Sequence, residues 1–251
     1  MNGMRYAIYV EGLSELLFVA DVLQKYFNYD ATRCGLRCIT INAERSERLS
    51  YPQLGDENSA RYYQIVNVNN DNKVISKLNK DLPGLIAQGY SVIIGLKDAY
   101  GRAYEQIMGG RKVVDTSKVE ELHANQAASL NTQGHDCSLH FAVMEYEAWM
   151  LALIENFVVS KGKSIKELSA LLALDLACDL EQVVYHPYSQ VQKIYELCGE
   201  SYHKHQKETM SFLDTLSIRE YEQLRQSGRC ASFAKFMNSL LGEKFLEDLS
   251  I

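Results

Sequence analysis

The stretch YAIYVEGLSE at residues 6–15 decides the fold of this 251-residue chain. It opens with five apolar residues of β-branched and aromatic type, which favour a strand buried on both faces. The apolar run stops at Glu11, where Gly12 permits a tight turn and Ser14 or Gly12 is placed to cap a helix. Apolar residues then recur at helical spacing as far as Leu23. The pattern predicts a buried strand, a turn that carries carboxylates, and an amphipathic helix.

Two glutamates, Glu11 and Glu15, lie at the carboxyl end of this predicted strand, which is where ligands bind in open α/β sheets. Carboxylates in such a place are costly unless a positive charge accompanies them. A plainer interpretation is that Glu11 only ends the strand and that Glu15 is an exposed helix residue. These residues alone leave both interpretations open.

Strand and helix patterns alternate along the first part of the chain. Further strands are predicted at residues 36–41, 62–68, 91–96 and 138–144, and further helices at 74–86, at 118–130 and directly after 144. The helix at 74–86 is expected to be interrupted near Pro83. Polar stretches at 43–60 and 102–115 predict loops. This alternation is typical of an α/β fold with a mainly parallel, Rossmann-like sheet flanked by helices.

The character of the sequence changes near residue 158. Beyond it Ser164 begins a helical stretch, more amphipathic segments follow, and no strand is predicted. We therefore expect an α/β domain at residues 1–158 and an all-helical C-terminal region at 159–251, with a hinge at 161–163.

Composition restricts the class of protein. A hydrophobic content of 47% and a charged content of 23% are ordinary for a globular chain. No apolar run approaches the ~20 residues of a membrane span and no signal peptide is recognised, so we expect a cytoplasmic protein with no membrane partner. Six scattered cysteines predict reduced thiols rather than a disulfide framework or a zinc site. The net charge of −6 does not indicate nucleic-acid binding, because nucleic-acid-binding domains usually carry a basic face. A nuclease with a carboxylate metal centre can nevertheless be acidic overall.

Acidic residues follow three of the predicted strands. They are Glu11 with Glu15, Asp98, and Glu145 with Glu147. Because the carboxyl ends of parallel strands share one edge of a sheet, we expect these acids to lie close together. Crowded carboxylates repel one another unless a divalent cation lies between them. Hard oxygen ligands favour Mg²⁺ or Mn²⁺, and such ions activate water and stabilise the leaving oxygen in phosphodiester cleavage.

Three segments carry a resemblance to a known family. Residues 10–15 (Val-Glu-Gly-Leu-Ser-Glu), followed by an apolar helix, resemble the first motif of the TOPRIM fold. Residues 95–101 (Gly-Leu-Lys-Asp-Ala-Tyr-Gly) and 144–149 (Met-Glu-Tyr-Glu-Ala-Trp) resemble a TOPRIM-like family of uncharacterised bacterial proteins related to OLD-family nucleases. The resemblance covers residues 5–155. It implies a TOPRIM-like sheet and an association with bacteriophage defence, often beside an OLD-like or ABC-type ATPase.

The resemblance also implies roles for the acids. Glu11 would act as a metal ligand or general base. Glu15, Asp98 and one of Glu145 and Glu147 would hold Mg²⁺.

One position departs from the wider TOPRIM pattern. The usual second motif is Asp-x-Asp, but here Asp98 is followed two residues later by Tyr100. One expected ligand is therefore missing unless a later acid substitutes for it. Glu147 is predicted to do so because its place at a strand-to-helix transition directs it towards the same edge, and Glu145 is the alternative. Arg102, in the next loop, is a candidate contact for phosphate.

The leading hypothesis is a Mg²⁺-dependent TOPRIM-type nuclease that acts on DNA or RNA as an effector of phage defence. The alternative is a catalytically decayed TOPRIM-like module that binds or regulates, and that docks onto a partner ATPase through the helical region. A nucleotidyl or phosphoryl transferase ranks last, because no basic nucleotide cradle or P-loop is present.

Two segments of the helical region remain. Residues 185–188 (Tyr-His-Pro-Tyr) predict a turn between helices, because proline disfavours helix at the residue before it. Residues 202–207 (Tyr-His-Lys-His-Gln-Lys) are locally basic and could touch a phosphate, but an exposed helix face is the favoured interpretation.

Overall fold

The computed structural model describes residues 3–42, 45–70, 73–130, 132 and 134–247. Its strands are β1 Met4–Val10, β2 Cys34–Asn42, β3 Arg45–Arg48, β4 Arg61–Asn67, β5 Val92–Asp98 and β6 Asp136–Ala142. They form one sheet in the order β3-β2-β4-β1-β5-β6. β1 runs parallel to β4 and β5, β2 runs parallel to β4, and β3 is antiparallel to β2. The predicted α/β class with a mainly parallel sheet is confirmed.

Helices make up most of the remaining described residues. They are α1 Leu13–Tyr26, α2 Val74–Ala87, α3 Arg102–Met108, α4 Thr116–Ala127, α5 Glu147–Ala152, α6 Glu155–Ser160, α7 Ile165–Leu172, α8 Leu180–Val183, α9 Pro187–Leu197, α10 Gln206–Leu213, α11 Ile218–Ser227, α12 Ala231–Leu241 and α13 Glu243–Glu247. Between residues 159 and 247 the structure has helices and no strand, as predicted.

Internal contacts divide the chain into two compact units. The first unit is Met1–Lys97 with His123–His140, and the second unit is Asp98–Leu122 with Phe141–Ile251. This division falls at other positions than residue 158. The boundary between residues 1–158 and 159–251 stays a prediction.

The five apolar residues of β1 are all buried, because the strand lies between β4 and β5 and is covered on both faces. On one face Tyr6 stacks on Tyr63, whose ring centroid lies 6.0 Å from that of Phe27 at the end of α1. On the other face the Tyr9 hydroxyl donates to Asp81 of α2 at 2.8 Å. The residues that the sequence marked as a buried strand thus form the centre of the core.

Helix α2 approaches the sheet closely at a glycine. A Cβ on Gly95 would lie 3.3 Å from Val74 Cγ1 and 3.0 Å from Leu139 Cδ1. The helix runs without a break through Pro83, so the predicted interruption is wrong. Proline removes one backbone hydrogen bond, but tertiary packing of an apolar face outweighs such a local loss. That face consists of Val74, Leu78, Leu82 and Leu85, all buried.

Two stretches predicted as loops contain regular structure. Strand β3 lies within 43–60 (residues 43 and 44 are outside the described part), and all four of its residues are exposed. A short polar edge strand carries no apolar pattern that a sequence could reveal. Helix α3 occupies the first half of 102–115 and buries Tyr104 and Met108, which are four positions apart.

Helix contacts build the interior of the second unit. The Trp149 ring lies 5.6 Å from Phe236 and 5.4 Å from Phe233, both on α12. Its indole Nε1 donates to Glu181 Oε1 at 2.8 Å, and Ser232 N–H donates to Glu181 Oε2 at 3.1 Å. The buried carboxylate therefore joins α5, α8 and α12.

The structure has the six cysteines as free thiols, and the reduced state stays a prediction. Burial raises the pKa of the Cys34 and Cys38 thiols to about 12, so both are uncharged near neutral pH. Of the helices in the described ranges, none has the length and apolar character needed to cross a lipid bilayer.

Candidate functional site

Glu11 is the first residue after β1 and belongs to the first unit, where only 6% of its surface is exposed. Strands β1 and β5 run in parallel with Tyr9 opposite Gly95. This register brings Lys97 level with Glu11, and the Lys97 Nζ lies 3.7 Å from Glu11 Oε1. A positive charge therefore accompanies the carboxylate at the strand end. Lys97 was not predicted, although the parallel order of the two strands is a signal that could have revealed it.

Glu15 folds back over the turn that precedes α1. It is 7% exposed, and a Cβ added to Gly12 would lie 2.6 Å from Glu15 Oε2. Gly12 precedes α1 with φ −137°, which is extended backbone open to any residue. The glycine therefore leaves space for the Glu15 carboxylate in its present position, and the backbone conformation itself does not require glycine. Glu15 also lies in the first helical turn, where the helix dipole favours a negative charge.

Asp98 ends β5 and belongs to the second unit. Its Oδ1 accepts the backbone N–H of Tyr146 at 2.8 Å, across 48 residues of sequence. The Tyr100 N–H donates to the Met144 carbonyl at 2.7 Å, which ties the same two segments together. Within the second unit, the Asp-Ala-Tyr and Glu-Tyr-Glu segments thus lie side by side.

The turn that carries Glu145 is held in an unusual conformation. Met144 is buried and has φ +63°, in the left-handed region that residues other than glycine rarely adopt. The half-buried Glu145 accepts the Tyr188 N–H at Oε2, at 2.7 Å. Tyr188 is the second residue of α9, so Glu145 lies at the positive end of that helix.

Glu147 is buried completely. Lys204 Nζ lies 2.9 Å from its Oε1 and 3.0 Å from its Oε2, and the Tyr202 hydroxyl donates to Oε1 at 3.3 Å. A carboxylate enclosed in this way is stabilised by its ion pair and is poorly placed to reach solvent. Glu145, the alternative, is half-buried and so more accessible than Glu147, and the metal-binding roles of both residues stay predictions.

The segment at residues 202–207 differs from the expected exposed helix face. Helix α10 begins only at Gln206, Tyr202 is 1% exposed, and Lys204 turns inward to Glu147. The prediction holds for the exposed helical residues 206 and 207 and fails for Tyr202 and Lys204. The locally basic pattern does not show that Lys204 is the ion-pair partner of Glu147, which lies far away in the sequence.

Tyr100 is the residue at the position where the TOPRIM resemblance predicts a second aspartate. Its hydroxyl donates to Glu105 Oε1 at 2.9 Å. Burial and the Glu105 carboxylate raise the pKa of Tyr100 to about 12, so the phenol is neutral at physiological pH. Arg102, the candidate phosphate contact, is exposed at the start of α3.

Among the described residues, no group of three or more His, Cys, Asp or Glu side chains is arranged to hold a metal ion. Mg²⁺, however, usually keeps several waters and binds through one or two carboxylates together with substrate phosphates. Candidate hard-oxygen ligands for this mode occur in each unit: Glu11 and Glu15 in the first, and Asp98 and Glu145 in the second.

Comparison with known proteins places the chain in a family. Residues 10–241 match the family described as "Domain of unknown function (DUF4276)", and the chain belongs to it. No curated protein matches the chain. No solved structure matches it either.

Proposed function

We propose that this protein is a Mg²⁺-dependent nuclease that cleaves phosphodiester bonds in DNA or RNA. The bond between Asp98 Oδ1 and the Tyr146 N–H supports the proposal most strongly. It sets an aspartate at the carboxyl end of a parallel strand beside the segment that carries Glu145. Two hard-oxygen side chains on neighbouring segments are what a Mg²⁺ site completed by substrate phosphate requires.

Each residue has a role in the proposed reaction. Asp98 and Glu145 hold the cation, and Mg²⁺ bound there supplies an activated water and charge stabilisation for the leaving oxygen. Glu11, in the first unit, acts as a metal ligand or as a general base that accepts a proton from water. Glu15 is the second acid at the turn between β1 and α1. Arg102 contacts a phosphate of the substrate.

Cleavage by the Asp98→Asn variant tests the proposal. Asparagine keeps an oxygen that can accept the Tyr146 N–H, so the variant removes the charge without removing the structural bond. Asp214→Asn, at an exposed position after α10, is the matched control. Wild type and Asp214→Asn should cut plasmid DNA, oligonucleotides or RNA with Mg²⁺ or Mn²⁺, and Asp98→Asn should lose at least a hundredfold in rate. Equal cutting by wild type and Asp98→Asn would refute the assignment.

The biological setting belongs to the same proposal. On the resemblance of residues 10–15, 95–101 and 144–149 to TOPRIM-like proteins, the nuclease acts as an effector in phage defence with an OLD-like or ABC-type ATPase as partner. Co-expression of the chain with such an ATPase should change its cleavage rate.

One observation favours the alternative function of a decayed binding or regulatory module. Tyr100 replaces the second aspartate, and its hydroxyl is bound to Glu105. In that case titration with Mn²⁺ should show binding no tighter than millimolar and no cleavage of any nucleic acid.

A further inference from the structure

Three aromatic rings of the second unit cluster beside the candidate ligands. Tyr100 meets Tyr185 edge to face at 5.7 Å and His186 at 5.1 Å, while the Tyr185 and His186 rings are 4.4 Å apart. All three side chains are half-buried and half-exposed. These three rings form the aromatic cluster.

The backbone fixes the position of this cluster. Helix α8 ends at Val183 and α9 begins at Pro187, so the connection between the helices is residues 184–186 and the last two residues of the predicted turn, 187 and 188, are helical. Proline at the first helical position keeps His186 out of the helical conformation, at φ −125° and ψ 78°. The next residue of α9, Tyr188, donates its N–H to Glu145.

The cluster therefore shares its supports with the proposed metal site. Tyr100 is two residues from Asp98, and Tyr185 and His186 belong to the segment that binds Glu145 through Tyr188. The rings and the proposed ligands are therefore carried by the same segments of the second unit.

The chemistry of the rings suits a nucleobase. Aromatic side chains bind unpaired bases by stacking, because every base has a π-face, and such binding tolerates different sequences. Exposed cations of the same unit lie on the segment after Tyr100 and suit the backbone phosphates. These are Arg102, Arg111 and Lys112.

We propose that the aromatic cluster stacks an unpaired nucleobase, so that the ligand of this site is single-stranded nucleic acid. In a duplex the faces of internal bases are covered by their neighbours, so the cluster discriminates against duplex. The inference rests on the proposed function for its biological meaning, but the binding of a single strand can be measured without any cleavage.

Fluorescence anisotropy with four labelled 20-mers tests this inference. They are single-stranded DNA, single-stranded RNA, duplex DNA and a strand with abasic sites throughout. The measurements use the Asp98→Asn chain in Ca²⁺, so that cleavage does not consume the probe. At least one of the two natural single strands should bind about tenfold or more tightly than the duplex and the abasic strand.

Substitutions then test the rings themselves. Tyr185→Ala and His186→Ala should each weaken single-strand binding by about tenfold, whereas Tyr185→Phe keeps the ring and should bind as well as the parent. Tyr29→Ala, at a tyrosine that is 57% exposed in the first unit, is the control for loss of an exposed ring. Thermal melting confirms that each variant is folded.

The outcomes separate this inference from the proposed function. Duplex or abasic strand bound as tightly as natural single strands overturns the inference, even if the wild type cleaves DNA. Unchanged binding by both folded alanine variants also overturns it. Single-strand preference that depends on the rings supports it, even if no cleavage is ever found.

Discussion

Replacement of Lys204 by methionine should destabilise the protein much more than replacement of its partner Glu147 by glutamine. The two side chains form an ion pair of 2.9 Å in which the glutamate is 0% exposed and the lysine 36%. At that distance the Coulomb attraction is about 6 kcal/mol for an effective dielectric constant of about 20. Since solvent reaches more than a third of Lys204, we reduce this to about 3 kcal/mol. That figure agrees with the cost of leaving a buried charge without its partner.

The two substitutions leave different groups behind. Lys204→Met removes the cation from a carboxylate that is completely buried. Glu147→Gln leaves an ammonium that can turn into solvent, and glutamine still accepts the Tyr202 hydroxyl, so about 1 kcal/mol is expected. The double variant should be more stable than Lys204→Met alone.

Urea denaturation of the four proteins gives the free energies of unfolding and the coupling energy of the pair. Equal losses for the two single variants, or a loss below about 1 kcal/mol for Lys204→Met, would refute the reasoning. The same variants separate two roles of Glu147. If Glu147 only holds the structure together, Glu147→Gln should keep its cleavage activity. If Glu147 is a metal ligand, Glu147→Gln should lose that activity.

Two further predictions concern other parts of the molecule. Gly12→Ala should displace the Glu15 carboxylate, because the new Cβ would lie 2.6 Å from Oε2. Cleavage should fall at least tenfold while stability falls by only about 1 kcal/mol, and unchanged cleavage in the folded variant would contradict this. Burial raises the pKa of Glu181 above its ordinary value of 4.5, an effect only partly offset by the bonds from Ser232 and Trp149. The folded state then binds more protons than the unfolded state, so this group's contribution to stability is present at low pH and is lost as pH rises through 4.5 and up to the folded pKa. Glu181→Gln should flatten that part of the stability profile measured by urea denaturation from pH 4 to 8, and an unchanged slope would exclude Glu181 as its source.

The core of the first unit could be predicted from sequence because its signals are local. The apolar run of β1, the turn at Gly12 and the spacing of α1 lie in one stretch of chain. The four-residue strand β3 could not be predicted, since it is an exposed edge strand held only by its pairing with β2. Helix propensity also gave a wrong prediction at Pro83, because the apolar face of α2 packs on the sheet and keeps the helix continuous.

The acids of the candidate site could be predicted from the sequence, but the residues that bind these acids could not. Carboxylates after buried strands stand out in a sequence, and Asp98, Glu145 and Glu147 were identified in that way. Their partners come from distant segments: Lys204 for Glu147, and the Tyr188 N–H for Glu145. No sequence pattern specifies that Glu147 is buried against Lys204, whereas Glu145, two residues earlier, remains half-buried.

A crystal of the protein soaked in Mn²⁺, with anomalous scattering recorded at the manganese edge, tests the central claim most directly. A peak within coordination distance of carboxylate oxygens of Asp98 and Glu145 is the predicted result. No peak at these two residues in a crystal that shows manganese elsewhere would contradict the account.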